Sequence, residues 1–564
     1  MSNLNKSNIN YWNILTYISI VSVTVLKISF IGRDFGGYWD YEGGLYYLLG
    51  QSFNKYGFYN LGFIPVINSG PLTLPPDYYA HWPLMLPNLL AILFKIFGNS
   101  VIVGRSLTII AASISCWLIY DIIKKLYDSR LAFLVTFIYI ISPVNLYYGF
   151  WVGRTLIMVA FWLGGLRAFL LYEASEGSNK KYLVFACLFF ALASFTSWEA
   201  VPTLLGFAML LIIRKEPWFR KGATLCILTF ILVFLLHHLH IYLVAPYLLN
   251  DQLTAAMDRA YIVVHNRPTR PLLNWIFLIS WNMYISFGVM LLISSICGLG
   301  LLIKGSGRDK LGSEVNSSSL VPRQSQAEAG LHNLRGNCLI LLVSLPCLWF
   351  ILMPRQAFDH DCECLLWGPI IAMGAGYLAY YLITLSRLRM HYLALVLLLC
   401  IMISESAIGF MRYLNQFSYQ YETSLVSLRN VLRETDVLVQ GGDEPKTALY
   451  SERHVITLKN KQELLKYFQK RKRPEWATGF FFVGGFEKKI NSSQSNLAKT
   501  DILQKLKHIF RNYYKSLDYY DPSLEEWVRH NFPRWQVPSD LVLYDISKLT
   551  QLKESPPKEE QVAN

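Results

Sequence analysis

Residues Gly36-Gly37-Tyr38-Trp39-Asp40-Tyr41-Glu42-Gly43-Gly44 follow directly on an apolar run from Ile14 to Ile31. The run is long enough for a bilayer-spanning helix, and the nine residues after it stand where that helix leaves the lipid. They carry two carboxylates, Asp40 and Glu42, one residue apart and flanked by aromatic side chains and glycines. A carboxylate at bilayer depth costs about 2.5–3.5 kcal/mol on insertion scales, so such a pair is explained by solvent or by function. Some forty residues on, Asp77-Tyr78-Tyr79-Ala80-His81-Trp82-Pro83 closes the segment.

Composition extends this reading to the whole chain. Of 564 residues, 53% are hydrophobic and 16% charged, against roughly 25% charged in soluble proteins. The apolar residues come in long runs without alternation, which is the pattern of a polytopic membrane protein. The net charge of +14 then reflects topology, and with no domain-wide basic stripe or nucleic-acid motif, nucleic acid is set aside as a partner. Most of the nine cysteines lie inside apolar runs, where they pack as small hydrophobes. Cys362 and Cys364 share a loop, but no second pair completes a zinc site.

Eleven spans are expected: the first run, then segments near 101–122, 131–149, 155–172, 182–198, 200–213, 223–246, 275–303, 337–353, 365–385 and 392–411. The short 200–213 run is the weakest signal. With a cytoplasmic N-terminus, every alternate loop is basic: Lys124, Lys125 and Arg130; Lys180 and Lys181; Arg214, Lys215, Arg220 and Lys221; the 304–335 tract; Arg387 with Arg389. This assignment makes the protein a multi-pass protein of the plasma (inner) membrane. Asp40, Glu42, His81, the 248–274 and 354–364 loops and the C-terminal segment fall outside. Within the first outer loop, residues 45–56 and 84–97 suit helices lying in the membrane interface. The Gly-, Ser- and charge-rich 304–335 tract reads as a flexible cytoplasmic loop.

From about residue 413 the pattern changes. Strands are expected at 436–440, 448–458, 479–485 and 540–546, with helices at 461–472 and 501–516. The chain thus divides into a transmembrane domain, 1–412, and an extracytoplasmic α/β domain, 413–564. Gly441-Gly442 is a turn signal, and the Walker pattern is absent.

The Asp-x-Glu pair after the first span, Tyr79-Ala80-His81-Trp82-Pro83-Leu84, the stretch Leu89 to Gly98 and Gly104-Arg105-Ser106 resemble lipid-dependent glycosyltransferases of the GT-C class. So do Lys125-Leu126-Tyr127-Asp128, Ser142-Pro143-Val144-Asn145-Leu146-Tyr147-Tyr148-Gly149, and Phe358-Asp359-His360-Asp361 ahead of Leu365-Leu366-Trp367-Gly368-Pro369. More specifically, the chain is similar to bacterial relatives of protein O-mannosyltransferases and of the aminoarabinose transferase acting on lipid A. The likeness covers about residues 15–410; each motif is weak alone, and their order and topology carry it. It implies a GT-C-type helical fold and transfer of a hexose or pentose from a polyprenyl-phosphate donor to an outward-facing protein, lipid or glycan, with inversion. Asp40 falls where those enzymes keep their acidic residue. A phosphate leaving group needs little acid assistance, so a single general base, worth about 10²- to 10⁴-fold, can suffice. Glycosidases, by contrast, need two carboxyls.

The chain departs from the family where many relatives carry an acid after the Tyr-Tyr-Gly block; here Arg154 follows. Glu42 or Glu199 is then the second carboxylate, Glu199 being at an outer helix exit. Arg154 and Arg355, at outer helix ends, suit the donor phosphate, with snorkelling to lipid head groups as the plain alternative. Arg259, Arg267 and Arg270 are further candidates. His81 is a hydrogen-bonding candidate, and His237, His238 and His240 face either a cavity or neighbouring helices. Asp359 and His360, with Asp361 and Glu363, are substrate-side candidates that would suit a divalent metal on paper; a solvated acidic loop explains them equally. No metal ligand is assigned, and a divalent cofactor stays open. The rival functions are a lipid-linked saccharide flippase, against which stands the absence of an internal repeat, and a scaffold binding through its C-terminal segment.

Overall fold

The computed structural model describes residues 11–33, 35, 41–72, 76–260, 271–315, 322–384, 389–414, 420–440, 444–458, 460–470, 477–484, 522–536 and 542–551. It divides into two compact units. The first comprises residues 1–33 and 80–417. Its helices are α1 (Tyr11–Ile28), α3 (Met85–Phe97), α4 (Val101–Leu126), α5 (Ser129–Ile141), α6 (Pro143–Tyr148), α7 (Arg154–Ala174), α8 (Lys180–Thr196), α9 (Thr203–Ile213) and α10 (Pro217–Val244). They continue with α11 (Leu248–Ala260), α12 (Pro271–Phe287), α13 (Val289–Val315), α14 (Pro322–Leu352), α15 (Pro354–Asp359), α16 (Gly368–Thr384) and α17 (Arg389–Leu414). Helix α2 (Tyr41–Tyr56) belongs to the second unit.

Each of the eleven segments expected to span is helical. Among the described residues, seven helices are long and apolar enough to cross a membrane. The pair α12 and α13 passes the same test together, although it bends by 99° at its break. The break is Gly288, at φ +79°. A side chain there would be strained by that backbone and would push Glu405 away, since a Cβ would lie 2.5 Å from its Oε2. That same oxygen accepts from Met290 N at 3.0 Å, so α17 satisfies one of the orphan donors opening α13. The 131–149 segment breaks at Ser142, where Pro143 cannot donate and opens α6 at its first position.

The tract expected to be a flexible loop is helical over 304–315 and 322–335, which corrects that expectation. Each piece is continuous with an apolar helical span, after it in α13 and before it in α14; once a helix is nucleated, each further residue adds a hydrogen bond at little cost.

Helix α7 is the buried centre of this unit, whereas α1 and α10 keep most of their length exposed, as lipid-facing helices do. Helices α7 and α8 approach closely at Gly165, which has no Cβ; one added there would lie 2.7 Å from the Phe190 ring. Polar contacts secure α1 and α4 to the α6 turn: Lys27 Nζ donates to Asn145 Oδ1 at 3.4 Å, and Arg105 Nη1 to the Phe150 carbonyl at 3.1 Å.

The second unit joins residues 34–79 to residues 418–564. Its later elements are α18 (Gln420–Val431), β1 (Asp436–Gln440), α19 (Glu444–Ser451), β2 (His454–Thr457), α20 (Lys461–Lys470), β3 (Gly479–Gly484), α21 (Pro522–Asn531), β4 (Arg534–Gln536) and β5 (Val542–Asp545). The sheet runs β2-β1-β3-β5-β4, parallel across the first three strands and antiparallel beyond. Val439 pairs with Ile456 and Phe482, and Phe482 with Tyr544. Val437, Val439, Phe480, Phe482, Tyr544, Leu464, Leu524 and Val528 form its core.

Residues 448–451, expected in a strand, close helix α19, and only 454–457 are extended. The short strand β4 was not anticipated, and the expected helix at 501–516 lies outside the described residues. Amphipathic α2 is buried through Leu45, Tyr46, Leu48 and Leu49 and packs on α19. The first outer loop is stitched to the sheet elsewhere too. Asn68 Oδ1 accepts from Val455 N at 2.8 Å, Asp77 lies 3.6 Å from His454 Nε2, and Tyr450 OH donates to the Phe35 carbonyl at 3.1 Å.

Candidate active site

The centre of the first unit carries an unusual charge cluster at the N-terminal end of α7. Arg154 is the first residue of that helix and is 1% exposed. Its Nη2 lies 3.0 Å from Glu199 Oε1 and 3.1 Å from Glu363 Oε1. Glu199 sits in the short 3₁₀ turn Trp198–Ala200, where the Ser197 hydroxyl accepts from its backbone N–H. It also accepts from the Thr155 hydroxyl at 3.1 Å. Glu363 lies in the 3₁₀ stretch Asp361–Trp367 and accepts from Trp349 Nε1 and Gln356 Nε2, each at 3.1 Å.

The indole of Trp82 completes the cluster. The Arg154 guanidinium carbon lies 3.6 Å from its ring centroid, and that of Arg259, on α11, lies 4.9 Å from it. Two cations on one indole face a strong quadrupole. Five segments therefore converge: the loop before α3, the start of α7, the α8–α9 turn, α11, and the α14–α16 connection.

Arg154 and both glutamates are fully buried, in surroundings where an uncompensated charge costs several kcal/mol. Arg259 adds a second cation on the Trp82 indole. His81, beside Trp82, has its imidazole held below the ordinary 6.5 by burial and then by Arg259, with Asp251 opposing. Both causes favour the neutral imidazole, which carries one donor and one acceptor nitrogen.

Of the residues expected from sequence to form the site, Arg154 and Glu199 are in direct contact, and His81 adjoins the indole over Arg154. Glu42 is buried in the first turn of α2, in the other unit. Asp40 lies outside the described residues, as do Arg267, Arg270 and the side chains of Arg355, Asp359 and Asp361. His360 is half-buried between α15 and the 3₁₀ stretch. Among the described residues, no group of three or more His, Cys, Asp or Glu side chains is arranged to hold a metal. Glu363, read from sequence with the acidic loop, instead directs its carboxylate at Arg154. Trp82, Trp349 and Gln356 were missed as site residues, because ring stacking and single amide contacts leave no pattern in one sequence.

Residues 81–241 match the sequence family described as dolichyl-phosphate-mannose-protein mannosyltransferase. No curated protein matches the chain by sequence. Among solved structures, ArnT from Cupriavidus metallidurans bound to undecaprenyl phosphate is similar over 95% of this chain and 98% of its own, at 9% identity and a TM-score of 0.55. The fold is that of GT-C glycosyltransferases. The archaeal oligosaccharyltransferase AglB from Archaeoglobus fulgidus, solved with an inhibitory peptide and a dolichol-phosphate, is similar over 85% of this chain and 70% of its own, at 11% identity and a TM-score of 0.55. The apo form of that enzyme aligns over 84% of this chain with a TM-score of 0.52 and 13% identity. His81, Trp82, Arg154 and Glu199 all lie inside the mannosyltransferase-like stretch.

Proposed function

We propose that this protein is an integral-membrane glycosyltransferase that moves one sugar from a polyprenyl-phosphate donor to an acceptor hydroxyl on the outer face. The observation that carries the reading is the buried cluster of Trp82, Arg154, Glu199 and Glu363, set in a fold whose solved relatives bind polyprenyl phosphates. In this reading Asp40 takes the acceptor's proton while the acceptor oxygen attacks the anomeric carbon. The bond from that carbon to the phosphate oxygen breaks, and polyprenyl phosphate leaves with the electron pair. Attack from the face opposite the leaving group inverts the centre.

Arg154, committed to two carboxylates, organises Glu199 and Glu363 for substrate hydroxyls. The leaving phosphate falls to Arg355 and Arg259. Glu42, His81, Asp359 and His360 position donor and acceptor, and the chemistry as drawn needs no metal.

The test is sugar release from radiolabelled polyprenyl-phosphate sugars by the purified full-length protein in detergent. Asp40→Asn is expected to lose about a hundredfold or more in turnover, the ordinary range for a general base, with donor binding retained. Equal turnover in both proteins would remove Asp40 from the chemical step.

One observation favours a second reading. The break at Gly288, capped by an acid from within α17, is the kind of interrupted helix that transporters use. A flippase would move labelled donor across a vesicle membrane without releasing sugar.

A further inference from the structure

Beside the arginine cluster, a buried amide and a buried imidazole act on the segment that carries Trp82. Gln252, on α11, donates through Nε2 to the carbonyl oxygen of Ala80. The same Nε2 lies 3.4 Å from Nε2 of His237, near the C-terminal end of α10. A carbonyl oxygen can only accept, so the amide must present its nitrogen to Ala80 and cannot be turned round. The second amide N–H then meets the imidazole, whose Nε2 is the acceptor and whose proton sits on Nδ1. Trp198 packs edge-on against this ring at 4.9 Å, one residue before Glu199.

The carbonyl held in this way belongs to the residue before His81 and Trp82. Gln252 and Arg259 are seven residues apart on α11 and so lie on one face of it. Gln252 grips the backbone of the segment, and Arg259 lies over its indole. Arg154, from the start of α7, lies 3.6 Å from the same indole.

We propose that His237 and Gln252 are positioning residues: His237, through the amide of Gln252, fixes the Ala80 carbonyl and so holds His81 and the Trp82 ring against Arg154 and Arg259. Their importance for turnover rests on the reading of this cluster as the transferase site. The relay itself does not.

The chemistry sets a sharp test on the full-length protein in detergent. A glutamine side chain places its oxygen about where imidazole Nε2 stands, and an asparagine places its oxygen nearer Nδ1. His237→Gln therefore keeps an acceptor for Gln252 and His237→Asn loses it; Gln252→Met keeps the bulk of its side chain and loses both N–H donors. The expected result is that His237→Gln stays within about threefold of wild type in kcat, while His237→Asn and Gln252→Met fall by about tenfold or more, with donor KM little changed and melting temperature lowered by the lost buried hydrogen bonds. In parallel, amide hydrogen exchange over residues 80–84 rises in His237→Asn and Gln252→Met and not in His237→Gln. Equal behaviour of the glutamine and asparagine variants in exchange, or unchanged exchange in Gln252→Met, would overturn the relay. If the wild type releases no sugar from any donor, the exchange ranking still decides the relay, and the failure belongs to the transferase reading alone.

Discussion

The two ends of α7 are closed by the same set of charges. At its start Arg154 stands between Glu199 and Glu363; at its end Arg214 stands between Glu173 and Glu216, at 2.8 and 3.0 Å. The difference is water. Glu216 is 41% exposed and Glu173 gains a second donor from Asn337, so that end is open to water on one side and hydrogen-bonded on the other. Glu199 and Glu363 are both fully buried, away from the solvent that reaches Glu216. A buried ion pair adds little to stability over well-packed apolar side chains. The Glu173 end is therefore an anchor. The Arg154 end buries both of its carboxylates with the arginine, a desolvation cost that stability alone does not repay and that a site for binding or chemistry would carry.

Removing each arginine separates the two ends most strongly. Arg154→Met strands two buried carboxylates and is expected to destabilise the protein by about 3–5 kcal/mol. Arg214→Met leaves Glu173 hydrogen-bonded to Asn337 and lets water reach Glu216, for about 1–3 kcal/mol. Denaturation of both variants in detergent measures the gap, and equal losses would erase the distinction.

Glu199→Gln sharpens it further. Arg154 keeps Glu363, so melting is expected to move by no more than about 1 kcal/mol, while sugar release falls by about tenfold or more. Intact turnover would demote the Arg154 end to an anchor as well.

The pH response gives a smaller effect. Because burial lowers the His81 pKa from 6.5, the unfolded chain takes up the proton first on acidification. The stability this residue contributes is full above pH 6.5 and declines as pH falls through the folded value. His81→Gln is expected to flatten that part of the stability profile.

Smallest of all is Glu216→Gln, expected within about 0.5 kcal/mol at neutral pH. The Arg214 hydrogen bond lowers the Glu216 pKa from 4.5. Its contribution is present above pH 4.5 and lost as pH falls through the folded value.

The membrane helices were legible because their signal is length and apolarity, both written along the chain. The Gly288 bend was not. In an apolar run a lone glycine reads as a small packing residue, and what requires it is Glu405 from more than a hundred residues away. Arg154 and Glu199 stood out as charges at helix ends, where they are costly. Glu363 sat in an acidic loop that matched a metal pattern, and only its contact with Arg154 shows its use. Gln252 gave no signal, since one amide in a polar segment is ordinary until a carbonyl and an imidazole are placed against it.

The pairing of residues 34–79 with residues 418–564 has a consequence for the order of synthesis. The loop at 34–79 is made roughly 340 residues before its folding partner, about 20–70 s at ordinary elongation rates. Through that interval Asn68, Asp77 and the apolar face of α2 have neither strand β2 nor helix α19 to pack on. The later segment therefore completes the earlier one, and synthesis that stops before residue 418 leaves the 34–79 loop without its partner.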